Sequence, residues 1–196
     1  MARTQGTAWS GDEHNFTDED RNNILISHNW LYEHQTIQFM STTYDAQHMK
    51  ESANPNTHAD IIVLSHEDHE LGEPPFPCWH ACIIGIYHVM VCQRKDGSIT
   101  KPERMDVLLV RWLGLDSPNG QTGWGAQRMH TVSFLPDDNT QGPPFGFLDP
   151  NAVIRMVHLI SVYDMGRTRN LLQMPSIADQ SHGHEDGEFE AYYVGM

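Results

Sequence analysis

Two apolar runs rich in β-branched and aromatic residues dominate the hydrophobic pattern of this chain. The first covers residues 79–92 and the second residues 105–113, and polar turn residues at 95–98, with a glycine at 97, lie between them. Two such runs on either side of a glycine-containing turn are typical of a β-hairpin. The pattern therefore predicts a long hairpin at the centre of a small sheet, which would hold most of the core.

Shorter segments on both sides of the hairpin also show strand-like patterns, either alternating or continuously apolar. These segments are residues 36–44, 59–64, 128–135, 154–163 and 192–194, the last as a possible edge strand. Helical spacing of apolar residues predicts a short amphipathic helix near residues 18–33. Asp149 and Pro150 form a good N-cap and first position for a brief helical turn. Residues 50–58 and 65–77 are polar or proline-rich and predict loops.

Taken together, these elements predict a mainly β protein with one or two short helices. Helices between successive strands are too few for a parallel α/β sheet. The expected organisation is a polar N-terminal extension over residues 1–35, one β domain over residues 36–175, and an acidic tail over residues 176–196.

The charge balance narrows the range of partners. The 196 residues include 12 basic and 26 acidic ones, which gives a formal net charge of −14. Tight nonspecific binding to nucleic acid depends on neutralising phosphates, so this balance opposes it. An acidic protein instead attracts basic partners such as Lys/Arg-rich tails, although acidity can also serve solubility alone.

The location is indicated by what the sequence lacks. No apolar run approaches the roughly 20 residues that span a bilayer, and no apolar block resembling a signal peptide follows Met1. The three cysteines, Cys78, Cys82 and Cys92, lie within or beside one predicted strand and do not suggest a disulfide framework. We therefore expect an intracellular protein in a reducing compartment, without membrane contact.

Four segments carry a family resemblance. Residues 54–65, 79–88, 104–113 and 145–160 resemble uncharacterised proteins of mushroom-forming fungi that are associated with Plavaka-type transposable elements. The resemblance covers roughly residues 40–196. The chain departs from that group at Cys78, His80 and Cys82, where the group more often has two aromatic residues and an arginine. A metal role for these three residues would therefore not be a family trait.

A second resemblance concerns architecture. A strand with Ile-Gly-Ile-Tyr at residues 84–87, then Val-Arg-Trp-Leu at 110–113, then Leu-Asp-Pro at 148–150 is similar to the element order of bromo-adjacent homology (BAH) domains. This likeness implies a distorted, partly open β-barrel. It also implies a nuclear role in binding chromatin components, in some members methylated histone tails.

The aromatic residues supply the candidate binding site. Trp79 and Tyr87 have the same strand parity, Trp112 lies on the partner strand, and Trp124 lies between glycines. Such rings can form a cage for a methylated lysine through cation–π attraction, with Asp116 or Glu73 as a nearby negative charge. The alternative is that Trp79, Tyr87 and Trp112 pack in the core, as aromatic residues on central strands usually do.

Histidines and cysteines supply the candidate metal ligands. Cys82, His80 and His88 share strand parity, but neighbours at i and i+2 lie about 6–7 Å apart, which is awkward for one tetrahedral zinc. His66 and His69 belong to a His-Glu-Asp-His-Glu segment that is one residue too short for the zincin motif. Buried thiols, hydrogen-bonded histidines and a solvated acidic loop are the alternatives, and we expect no cofactor unless zinc binds there.

No nucleophile elbow, P-loop or dinucleotide fingerprint occurs in the sequence. Arg167 and Arg169 flank Thr168 and would suit a phosphate or carboxylate, or simply an exposed turn. The sequence therefore favours a noncatalytic protein-interaction module that recognises a basic segment such as a histone tail. The alternatives are a metal-dependent enzyme that uses residues 65–70 with His80 or His88, and a structural or self-assembling protein.

Overall fold

The computed structural model describes residues 17–42, 48–64, 78–95, 97–115, 129–137, 143–172, 178–179 and 185–195. Most of these residues lie in strands, so the predicted mainly β fold class is confirmed. Helical structure in this part of the chain comprises α1, Asp18–Asn22, and two 3₁₀ helices, Pro150–Ala152 and Tyr163–Met165. None of the helices in the described ranges is long and apolar enough to cross a membrane.

The strands are numbered here in chain order. They are β1 Ile24–His34, β2 Ile37–Thr42, β3 His48–Ala53, β4 Asp60–Leu64, β5 Cys78–Lys95, β6 Ser98–Ile99, β7 Glu103–Leu115, β8 Thr131–Phe134, β9 Phe145–Leu148, β10 Val153–Met156, β11 His158–Ser161, β12 Arg167–Thr168, β13 Glu188–Phe189 and β14 Tyr192–Gly195.

The main sheet has the order β10-β4-β5-β7-β8-β14-β11, and β9 also pairs with β7. Its first and last strands, β10 and β11, are consecutive in the chain and are separated by Val157 alone. The sheet therefore curls until its two ends meet at Val157, whose N–H donates to the Asp60 carbonyl at 3.0 Å. The pairings of the described strands do not close into a barrel, because β10 and β11 follow one another instead of pairing.

The chain divides into two compact units, one of Met1–Leu31 with Val89–Met105 and one of Tyr32–His88 with Asp106–Met196. In the smaller unit, Arg94 and Lys95 at the end of β5 pair with β6, and the Arg94 N–H donates to the Asn23 carbonyl at 2.7 Å. The larger unit contains the hydrophobic core, to which β2, β3, β4, β5, β7, β8, β10 and β14 contribute.

The predicted hairpin is present as β5 and β7, which are neighbours in the sheet. Strands also occur where the shorter apolar segments predicted them, at β2, β4, β8 and β14. The single strand predicted over residues 154–163 is instead divided into β10 and β11, which lie at opposite ends of the sheet order. The predicted helical turn after Asp149 is confirmed, since the Asp149 carboxylate accepts the Asn151 N–H at 2.8 Å.

Three predictions about elements are wrong. The helix expected over residues 18–33 ends at Asn22, and β1 follows because pairing with β5 overrides the helical spacing of its apolar residues. Half of the expected loop at residues 50–58 is β3, whose polar residues pair with β2, and only Asn54–His58 forms a turn. The expected edge strand β14 is an interior strand, because it pairs with both β8 and β11.

A buried ion pair joins β7 to β13. Arg111 on β7 is fully buried, and its two terminal nitrogens donate to the two carboxylate oxygens of Glu188 on β13. One of these nitrogens also donates to the Ala178 carbonyl at 2.8 Å, and the guanidinium lies 4.1 Å from the centre of the Phe134 ring. These contacts therefore hold Ala178 and β13 against a central strand.

We expect Arg111→Met to lower the free energy of unfolding by about 3–5 kcal/mol, because it leaves a carboxylate buried without its counter-ion. Urea denaturation followed by circular dichroism measures this change. The double variant R111M/E188M should recover most of the loss, since it removes both charges. Wild-type stability in R111M alone would show that the pair does not hold the fold.

Candidate functional site

Two tryptophans of the predicted aromatic set meet at one end of the hairpin. Trp79 is the second residue of β5 and lies opposite Val63 of β4, whereas Trp112 lies near the end of β7. Their ring centroids are 5.5 Å apart and the rings are nearly perpendicular, at 81°. Trp79 is 37% exposed and Trp112 is half-buried against the core. The pair, called the tryptophan site below, therefore offers one accessible ring supported by a fixed one.

The position of Trp112 depends on a glycine of the neighbouring strand β9. A Cβ atom at Gly146 would lie 2.6 Å from Nε1 of Trp112, so only glycine leaves room for the indole there. The backbone N–H of Trp112 also donates to the Pro144 carbonyl at 2.8 Å. Sequence reasoning did not identify Gly146, although a lone glycine in an apolar strand often marks such a close approach.

Tyr87 does not join the tryptophan site. It lies eight residues beyond Trp79 on β5, and a rise of about 3.3 Å per residue places the two roughly 26 Å apart along an extended strand. Its ring folds back over Gly85, where an added Cβ would lie 2.5 Å from the ring atom Cε2. Shared strand parity therefore predicts a common face for Trp79 and Tyr87 but not a common pocket.

Several predicted site residues lie outside the described residues. They are Trp124, Asp116 and Glu73 of the aromatic site, and His66 and His69 of the metal hypothesis. The metal-dependent alternative therefore stays a prediction. Within the described ranges, no group of three or more histidine, cysteine, aspartate or glutamate side chains is arranged to hold an ion.

His80 and Cys82 are buried on the central strand. Burial, with a smaller contribution from His130, lowers the pKa of His80 to about 4. Burial, together with the neighbouring Asp60 carboxyl, raises the pKa of the Cys82 thiol well above its usual value. Burial also raises the pKa of Asp60, and the Cys82 thiol hydrogen-bonds to its carboxyl. Near neutral pH both His80 and Cys82 are therefore uncharged, as expected for the predicted alternative of a buried thiol and a packed histidine.

The two remaining candidate residues, His88 and Arg167, contact side chains of neighbouring strands. His88, also on β5, hydrogen-bonds to His34 of β1, and its ring stacks on that of Tyr32. Arg167 stacks on the Phe189 ring at 3.9 Å and donates to the Gly187 carbonyl at 2.6 Å. Its guanidinium thus takes part in holding β12 against β13, and it lines an open cleft of about 820 Å³ together with Arg169 and two carboxylates, Asp186 and Glu190.

The lowered pKa of His80 predicts a pH dependence of stability. Between pH 6.5 and about 4 the unfolded chain binds a proton at this residue and the folded chain does not, so acidification favours unfolding. The full loss is on the order of 3 kcal/mol, because one pKa unit corresponds to about 1.4 kcal/mol.

Urea unfolding at pH 7, 5.5 and 4 measures this effect. We expect His80→Gln to be less sensitive to acid than the wild type over this range, with the difference growing as the pH falls. If the free energy of unfolding fell equally with pH in both proteins, His80 would not be the residue responsible for the acid sensitivity.

The chain was compared with protein-family models, with curated proteins and with solved structures, and none of the three comparisons found a match.

Proposed function

We propose that this protein is a noncatalytic interaction module that binds a basic protein segment at the tryptophan site. The observation that carries the proposal is the exposed Trp79 ring, set edge-to-face against the half-buried Trp112. Large aromatic side chains held in place by the core provide contact area at a low cost in conformational entropy. They are suited to binding a ligand that is partly apolar.

The ring geometry favours a cationic group. Lysine, methylated lysine and arginine bind the face of a tryptophan by cation–π attraction worth about 0.5–2 kcal/mol. Trp112 fixes one side of the Trp79 ring, and Gly146 fixes the position of Trp112. A cation that reaches the accessible part of Trp79 therefore meets a preorganised surface.

The charge distribution along the sequence supports the same class of ligand. The formal net charge is −14, and the segment of residues 65–77 contains four carboxylates and no lysine or arginine. This segment joins β4 to β5, and its two flanking residues, Leu64 and Cys78, pair directly beside Trp79. An acidic connection attached at this point favours the approach of a positively charged segment and disfavours that of a nucleic acid.

The two resemblances restrict the class of partner further. A BAH-like, partly open barrel and a link to Plavaka-type elements both favour a chromatin partner, with a methylated histone tail as the ligand and the nucleus as the location. The curled order of the main sheet supports the BAH-like assignment. On this proposal the binding reaction requires no cofactor.

We expect Trp79→Ala to raise the Kd for a lysine-rich histone-tail peptide by about fivefold or more, because it removes the ring that the cation would contact. Fluorescence anisotropy of a labelled peptide, unmodified and trimethylated, measures this change, with labelled duplex DNA as a comparison. Trp30→Ala is the matched control, since Trp30 is 59% exposed against 37% for Trp79 and its ring contacts that of His28 on its own strand.

The Kd of the Trp30 variant should remain within about twofold of the wild-type value, well under the 1.4 kcal/mol that a tenfold change represents. The proposal is wrong if Trp79→Ala binds every peptide as tightly as the wild type, or if neither peptide binds the wild type. If the trimethylated peptide bound more tightly than the unmodified one, the module would be one that recognises methylated histone tails.

A further inference from the structure

Two histidines from distant parts of the sequence face each other nitrogen to nitrogen. Nε2 of His34, the last residue of β1, lies 2.6 Å from Nδ1 of His88 on β5, and the two residues are 54 positions apart. Their ring centroids are 4.9 Å apart at an interplanar angle of 27°. Both side chains are half-buried. No sequence motif indicates this pairing, because the contact joins separate strands.

We propose that His34 and His88 form a binding site for a divalent transition-metal ion, with Cu²⁺ the most tightly bound. Neutral imidazole nitrogen is a common ligand of zinc, copper and nickel, and the general order of affinity places Cu²⁺ highest. Two imidazole nitrogens that already point at each other lose little conformational entropy when an ion binds both. The site does not depend on the proposed peptide-binding function, which uses other residues.

The change needed to admit an ion is small. With metal–nitrogen bonds of about 2.0–2.1 Å and a bond angle of roughly 90–110°, the two nitrogens would lie about 2.9–3.4 Å apart. They must therefore separate by less than about 1 Å from their present 2.6 Å, and each ring must also turn so that its lone pair points at the ion instead of at the other nitrogen. The ion takes a position beside the line that joins them.

The proton balance is also simple. In a pair of uncharged rings, one facing nitrogen carries the hydrogen and the other accepts it. When the ion binds, the donating ring gives up this proton and takes one on its other nitrogen through water. Both facing nitrogens then offer a lone pair, and the pair as a whole neither gains nor loses a proton.

The surroundings suit an ion that keeps bound water. A cleft of about 470 Å³ adjoins His34, and Glu33, Gln35 and Asn56 are among the residues that line it. The oxygen atoms of Glu33, Gln35 and Asn56 can hydrogen-bond to waters that complete the coordination. The Tyr32 ring stacks on His88 at 4.6 Å and 7°, and this contact restrains the imidazole plane. Such outer contacts tune metal affinity.

The test is a Cu²⁺ titration of the full chain by isothermal calorimetry, with electron paramagnetic resonance of the complex. We expect one site whose spectrum shows coupling to imidazole nitrogen. His34→Ala and His88→Ala should each weaken binding by about tenfold or more, and the double variant should be little weaker than either, because both residues hold one ion. Asparagine at either position serves as a second variant if alanine impairs folding, which circular dichroism reports.

His158→Ala is the matched control. His158 stacks on His58 with ring centroids 4.5 Å apart, so it belongs to another histidine pair of the same unit. Its loss should change the copper affinity by less than about twofold, which corresponds to about 0.4 kcal/mol. Equal affinity of the wild type and both the His34 and His88 variants would place the copper elsewhere among the 13 histidines and overturn the proposal.

Discussion

The ion pair between Arg111 and Glu188 is the constraint on which the larger unit depends. Two opposite charges without access to water are stable only when they are paired. Here the guanidinium donates two hydrogen bonds to Glu188 and one to the Ala178 carbonyl and lies against the Phe134 ring, while its Nε has no hydrogen-bond partner among the described residues. Arg111 and Trp112 are neighbours on β7, and their side chains leave opposite faces of the strand. The contacts that hold Arg111 on one face therefore also orient Trp112 on the other.

Candidate site residues in different environments lie along the long strand β5. Trp79 lies near its start, His80 and Cys82 follow in the core, and His88 lies six residues beyond Cys82. One strand thus carries an exposed tryptophan ring, a neutral buried histidine and one member of the half-buried histidine pair, so the environment of each residue decides its role. The same residue type is packed at position 80 and proposed as a ligand at position 88.

The sequence predicted elements whose signal is local. The hairpin, β4 and the turn after Asp149 follow from apolar runs and capping residues. Predictions from the hydrophobic pattern were wrong where pairing with a distant strand decides the secondary structure. The helical spacing of apolar residues in β1 predicted a helix, but this segment is a strand that pairs with β5. Within the sites, Trp79 and Trp112 were found because they lie on the hairpin, whereas Gly146 and the contact of His34 with His88 depend on strands that no local pattern aligns.

The distance along the chain between the two charges has a consequence for folding during synthesis. Glu188 follows Arg111 by 77 residues, which a ribosome adds in roughly 4–15 s at typical rates. During that interval β7 has been made but lacks the carboxylate that neutralises its arginine, and β8 lacks its neighbour β14. During synthesis β7 therefore carries a charge whose partner does not yet exist, and the core is complete only after β13 and β14 have been made.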